Sequence, residues 1–328
     1  MRTQLYKTKQ FFFVLLKISL VVVSFFYIYK KLVQNSKLDF HDFVDILNKT
    51  DAFWLKTLIF LIILSVFNWF FEILKWQKLV SSIKQISFYK AIEQCLGSLT
   101  ISLFTPNRIG EYGAKALYFE KALRKRVVFL NLLNNLLQMA ITIIFGFIGL
   151  FLLTKKHDLT INHNKFVYLI IGIAILAIVI FALRKTTIQI KGFSLNKIKI
   201  ALASIQRDHI ILGFLFALIR YLIFSFQFFY LLTFFNVDLN YFNAMIIITS
   251  MYFLASVIPS ISFFDVAVKG SIAVYLFALI NVSELIILSI VTMMWILNFV
   301  LPSILGSYFV LSYKHHPNRQ VEEMLNSK

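Results

Sequence analysis

Six apolar stretches, at about 11–29, 53–74, 127–153, 166–183, 210–235 and 285–312, are long enough to cross a bilayer as helices, which takes roughly 20 residues each. Their length constrains the fold more than any other feature. Inside lipid every backbone N–H and C=O must find a partner within the protein, so such segments become α-helices. The two-residue alternation of a membrane β-barrel is absent. Hydrophobic residues make up 59% of the chain and charged ones only 15%, which fits an all-α, polytopic membrane bundle. The first stretch, Phe11 to Tyr29, follows Arg2, Lys7 and Lys9, and Lys30 and Lys31 succeed it with no small-residue cleavage site. It reads as an uncleaved span rather than a secretory signal, with Lys17 reaching its charge toward the interface.

Two further apolar regions, about 91–120 and 241–281, are broken by polar sequence. The first break runs from Thr105 through Pro106, Asn107, Arg108, Gly110, Glu111 and Gly113 to Lys115. The second runs from Pro259 through Ser260, Ser262 and Asp265 to Lys269. Each contains a proline, which lacks an N–H and unsettles a helix. Each ends with an acid four residues ahead of a base, Glu111 with Lys115 and Asp265 with Lys269, a spacing that puts both charges on one helix face. Ionisable groups at membrane depth are costly and face an interior or a pathway. Such a region either crosses as a bent span or enters and returns as a hairpin.

The distribution of Lys and Arg favours the hairpin over the bent span. Lys75, Lys78, Lys84 and Lys90 precede the first broken region and Lys121, Arg124, Lys125 and Arg126 follow it, so both its ends are expected in the cytoplasm. The loops 236–240 and 281–284 that flank the second contain no Lys or Arg, so it is expected to enter from outside. The order span, span, hairpin, span then occurs twice in opposite orientation, an inverted repeat whose hairpin tips meet near the midplane. One integral membrane domain is expected, with repeats at 1–153 and 166–312 and a tail at 313–328. Both termini are expected on the cytoplasmic side of the cell membrane. The loop 30–51 fits least well, being external on this arrangement while carrying Lys30, Lys31, Lys37 and Lys49.

The broken regions hold the candidate substrate-binding residues: Arg108, Glu111, Lys115, Asp265 and Lys269. Arg108 offers a planar fork suited to phosphate or carboxylate. Glu111 would neutralise Arg108, bind an amine or take up a proton. Asp265 and Lys269 form a second charged pair, whose plainest role is to neutralise each other. Gly110 and Gly113 permit a tight turn and close backbone approach, and with Pro106 and Pro259 they are the expected hinges. Glu93, at the start of the first hairpin, and Arg220, within the fifth span, are candidates for lining a cavity; Arg220 alternatively pairs with an acid across the bundle. Glu72 reads as an interfacial partner of Lys75, and Asn68, Asn131, Asn134, Asn135 and Gln138 as links between helices.

Other chemistries find no support. The net charge of +18 sits in loops between spans, where it orients the protein and meets anionic lipid, and no nucleic-acid-binding motif accompanies it. The single cysteine, Cys95, excludes an internal disulfide and a cysteine-based zinc cluster. All six histidines lie in loops, at span edges or in the tail. No zinc-protease, P-loop or serine-hydrolase motif occurs, so neither metal nor cofactor is expected.

The run Pro106-Asn107-Arg108-Ile109-Gly110-Glu111, with Lys115 beyond it, resembles the first signature of the flippase-like family related to the transmembrane region of lysylphosphatidylglycerol synthase. Pro259 and Asp265 look like the counterpart of its second signature, although Ser260 to Phe264 contain no glycine. The resemblance implies movement of a lipid or lipid-linked molecule between leaflets. Larger members of that family carry a soluble aminoacyl-transferase domain. Such a domain is not expected within the 16 residues (328 − 312) that follow the last span.

The expected function is therefore translocation or scrambling of a phospholipid or lipid-linked molecule, a transporter rather than an enzyme. The expected partners are membrane lipids with anionic or zwitterionic headgroups, not nucleic acid; a separate lipid-modifying enzyme is a further candidate. The alternatives are an intramembrane enzyme or accessory subunit in lipid or lipid-linked glycan modification, and a scaffold that recruits partners through its basic loops.

Overall fold

A computed structural model describes residues 54–103, 105, 108–156, 189–190, 193–194, 202–257 and 265–313. The first and fourth expected spans, the loop 30–51, Pro106, Pro259 and the tail beyond Tyr313 lie outside the described residues. Among those described, eight helices follow one another: α1 (Trp54–Val80), α2 (Phe88–Ser102), α3 (Gly110–Leu117) and α4 (Arg124–Lys156), then α5 (Arg207–Phe234), α6 (Tyr241–Val257), α7 (Asp265–Ala278) and α8 (Glu284–Ser312). The helix α8 contains a π turn at Ile296–Val300. Four of them, α1, α4, α5 and α8, are long and apolar enough to cross a membrane, and they coincide with the second, third, fifth and sixth spans expected from the sequence. In the loop between the halves, Gln189–Ile190 (β1) pairs antiparallel with Phe193–Ser194 (β2), a ribbon too short to change the all-α class.

The first broken region is a hairpin. The helix α2 starts behind the N-cap Ser87 and runs to Ser102, and α3 returns beside it: the place of a Cβ on Gly97 lies 2.8 Å from the Tyr118 hydroxyl, and that on Gly110 lies 3.2 Å from the Ile101 carbonyl. Both ends emerge at one face of the bundle, where Lys84 pairs with Glu120 at 3.5 Å. The opposite face carries the start of the second hairpin. There Lys156, ending α4, donates to Asn243 at 2.6 Å near the start of α6, and Phe229 of α5 meets Tyr241. Asn236 and Asn281 close α5 and α7 with positive φ of 55° and 58°. The following residues, Val237 and Val282, donate back to Leu232 and Phe277, a left-handed cap that asparagine tolerates.

The packing has the symmetry of an inverted repeat. Exchanging α1 with α5, α2 with α6, α3 with α7 and α4 with α8 turns each major helix pair into another pair that also packs. The helices α1 and α5 face each other across the axis of this exchange. The pair α4–α6 becomes α8–α2, and small residues allow both crossings. A Cβ on Gly149 would stand 2.0 Å from Thr249 Oγ1, and one on Gly306 would stand 2.2 Å from the Leu96 carbonyl and 2.3 Å from Thr100 Oγ1. Small residues let helices approach closely in lipid, where hydrophobic burial supplies no drive between them. Two large apolar cores result, with a smaller third cluster of Leu103, Trp295 and Val300. One gathers the C-terminal end of α1, α2 and the N-terminal parts of α4 and α5; the other gathers the opposite ends of α4 and α5 with α6, α7 and the start of α8. Polar side chains collect where the two cores meet.

Candidate functional site

The turn between α2 and α3 is organised by Thr105. Its hydroxyl donates to the Ser102 carbonyl at 2.8 Å and accepts from the Gly110 N–H at 2.9 Å. A Cβ on Gly110 would lie 2.8 Å from Thr105 Cγ2, so close approach requires glycine there. Gly113 has nothing within 4 Å of an added Cβ; the close approach expected of it is not needed. Arg108 holds φ at 56°, a left-handed conformation costing a non-glycine residue roughly 1–2 kcal/mol. Strain of that kind concentrates at functional sites.

The charges behind this turn divide into a fixed pair and a more open cation. Glu111, buried on α3, gives Oε1 to Lys115 Nζ at 2.8 Å and Oε2 to Arg108 at 3.1 Å. Lys115 is only 1% exposed. Its ammonium also donates to Asn131 Oδ1 at 2.8 Å and sits 4.2 Å from the Trp76 ring centre. Trp76 is in turn fixed by its indole N–H, which donates to Gln94 at 2.8 Å. Lys115 is thus held from α1, α3 and α4 together. Arg108 instead has 39% of its side chain exposed, reaches Ser102 Oγ at 3.5 Å and lies 5.8 Å from the ring centre of Phe299.

Lys269, from the second hairpin, lies 5.9 Å from the centre of the same Phe299 ring. The two polar breaks, far apart in sequence, therefore converge on one aromatic side chain in the π turn of α8. Asp265 begins α7, but its side chain lies outside the described residues.

A second ionic cluster lies deeper. Glu72 of α1 pairs with Lys75 at 2.9 Å and with Arg220 of α5, and accepts from Asn134 Nδ2 of α4 at 2.8 Å. Arg220 also donates to Gln138 at 3.2 Å and to Asn68 Oδ1 at 3.0 Å. Arg220 thus pairs with an acid across the bundle, one of the roles expected of it. The Glu72–Lys75 pair forms too, but Lys75 is 1% exposed, so it is an interior residue and not part of the solvated basic loop. The helix α1 extends beyond the expected span end, to Val80, and carries Lys75 inside. Glu93 is buried at the edge and pairs with Lys90 at 2.6 Å, while its carbonyl accepts from Tyr118.

The repeat exchange maps this charged crossing onto a neutral one. Where α1, α5 and α4 supply Glu72, Arg220 and Gln138, the exchanged helices α5, α1 and α8 supply Gln227, Ser65 and Asn298. Asn298 donates to Gln227 Oε1 at 2.9 Å, and Gln227 donates to Ser65 Oγ at 2.9 Å. Trp69 donates to the Asn298 carbonyl at 3.0 Å, satisfying backbone in the π turn. Asn298, Gln227, Trp76 and Phe299 escaped the sequence reading. The amides were legible as polar residues inside apolar runs. Phe299 was not, being one of 37 phenylalanines.

No cluster of metal-ligating side chains occurs among the described residues. No curated protein and no solved structure matches the chain. Its residues 13–306 match the family described as the lysylphosphatidylglycerol synthase TM region, and a helical bundle with four membrane-length helices accords with a membrane domain; the chain belongs to that family.

Proposed function

We propose that this protein moves an amphipathic lipid, or a lipid-linked molecule, between the leaflets of the cell membrane, admitting the headgroup where its two hairpins converge. The observation that carries this reading is the convergence of Arg108 and Lys269 on Phe299. The two ionic clusters together hold more cations than anions: Arg108, Lys75, Lys115 and Arg220 against Glu72 and Glu111. An excess of positive charge at membrane depth suits a phosphate-bearing headgroup. Arg108 is the residue placed to receive it. On release from Glu111, Arg108 leaves that carboxylate still paired with Lys115, so no buried charge is abandoned.

Acyl chains stay in lipid while the headgroup passes along the polar layer between the two cores. The hairpins open toward opposite faces, so rocking one repeat against the other exposes the site to each leaflet in turn. Family membership supports a role with lipids. The direction of the basic residues supports cytoplasmic termini and a first hairpin that opens inward.

Mass spectrometry of lipids co-purifying with wild type and Arg108→Ala tests the site, and headgroup-labelled lipids in proteoliposomes test the movement. Selective enrichment of one lipid class, lost in the variant, with unchanged lipid redistributed between leaflets, is expected. Equal, unselective lipid in both proteins, or a cleaved or transferred headgroup as product, would overturn the reading in favour of a scaffold or an enzyme.

A further inference from the structure

Asn131 and Asn134 lie one turn apart on α4, both fully buried, and each carries half an amide with no partner. Their orientations are dictated by charge. Asn131 turns its oxygen to the Lys115 ammonium and Asn134 turns its nitrogen to the Glu72 carboxylate, each at 2.8 Å. Flipping either amide would set N–H against ammonium or oxygen against carboxylate. What remains is Asn131 Nδ2, a donor, and Asn134 Oδ1, an acceptor, both buried and unsatisfied. A buried polar group left in that state forfeits its hydration with nothing in return. Residues three apart on a helix are neighbours on one face, roughly 5–6 Å between Cβ atoms. A donor and an acceptor placed on one helix face suit one small molecule able to accept from the first and donate to the second.

We infer that a resident water binds between Asn131 and Asn134 and joins the two ionic clusters into one network. The water oxygen accepts from Asn131 Nδ2 and one of its hydrogens goes to Asn134 Oδ1. Buried waters typically make about three hydrogen bonds to groups otherwise unsatisfied, and these two amide atoms supply two of them. The chain Arg108, Glu111, Lys115, Asn131, water, Asn134, Glu72, Arg220 then runs from the first hairpin tip to α5 in the other half of the protein. Through it, withdrawal of Arg108 from Glu111 is transmitted to the charged crossing of the two repeats. The water site itself rests on the amides alone and stands whether or not the protein moves lipid.

Two measurements on the purified full-length protein test it. A cryo-EM or crystal structure fine enough to show waters should place one within hydrogen-bond distance of both amides; a dry site, or the two amides bonded to protein groups instead, overturns the inference. A thermal-stability cycle with Asn131→Leu, Asn134→Leu and the double variant gives an independent reading. Because the singles share one water, the double variant should lose distinctly less stability than the sum of the singles, while strict additivity would count against a shared ligand.

Discussion

Asn68 Nδ2 donates to Asn298 Oδ1 at 2.9 Å, and the same side chain accepts Arg220 Nε through its oxygen at 3.0 Å. One amide on α1 therefore stitches the neutral crossing of the repeat to its charged counterpart. Neutral interhelical hydrogen bonds in membranes are worth about 0.6 kcal/mol on average; bonds to a charged guanidinium are worth more. The charged crossing should accordingly dominate stability, and the neutral one should tolerate change.

Glu72→Gln leaves buried Lys75 and half-buried Arg220 without their carboxylate. We expect a loss of about 3–5 kcal/mol, the cost of breaking a buried pair on one side, against about 1 kcal/mol for Gln227→Leu at the equivalent neutral position. Thermal unfolding in detergent, followed by size-exclusion profile, compares the two. A Glu72→Gln protein as stable as wild type would remove the ionic cluster from the stability argument.

Arg108 and Lys115 should separate cleanly. Arg108→Ala is expected to fold normally and lose lipid selectivity, whereas Lys115→Met, which leaves buried Glu111 only the more exposed Arg108 as a partner, should melt well below wild type. Arg108→Gly adds a control, because glycine adopts a positive φ freely; it should be the more stable protein, by up to about 1 kcal/mol, yet equally inactive. Retained lipid selectivity in both Arg108 variants would dissociate this residue from the headgroup.

The glycines give opposite signs. Gly306→Ala drives a Cβ to 2.2 Å from the Leu96 carbonyl and should destabilise by about 1–3 kcal/mol through overpacking. Gly113→Ala meets nothing within 4 Å and should be neutral or stabilising by up to about 1 kcal/mol, since alanine favours the helix. Melting temperatures that fall equally for both would contradict the packing described.

Opposite-facing hairpins can be read by labelling. Cys95 is buried and contributes little background. Lys125→Cys and Asp238→Cys, exposed at opposite ends of the bundle, should react with an impermeant maleimide from the inside and the outside of the cell membrane respectively. Reaction of both from one side would remove the inverted arrangement.

Much of this architecture was legible because it follows from transfer energetics. The long apolar runs had to be helices, and the charges flanking 91–120 required its two ends to share a face. The site was legible in residue type but not in partnership. Glu111 and Lys115 announced their pairing by spacing, whereas nothing local to Arg220 names Glu72, which it meets only because α1 and α5 lie side by side. Lys75 looked like a loop lysine since it follows the most apolar part of α1; its burial depends on acids and amides brought by other helices. Phe299 carries no signal of its own, because its position under two cations is set by the crossing of three helices.

The π turn in α8 means that this helix holds one residue more than a regular ladder would use. Wide turns of this kind arise as single-residue insertions and recur at functional sites. Such an irregularity can migrate. Were the extra residue to step one place along α8, the side chain it passes would swing by about 100° while both ends of the helix kept their seats, Gly306 against Leu96 included. Phe299 would leave its place beneath Arg108 and Lys269, and the two hairpins would lose the ring they share. A latch of this design needs no sliding of whole helices, only a travelling dislocation one residue long.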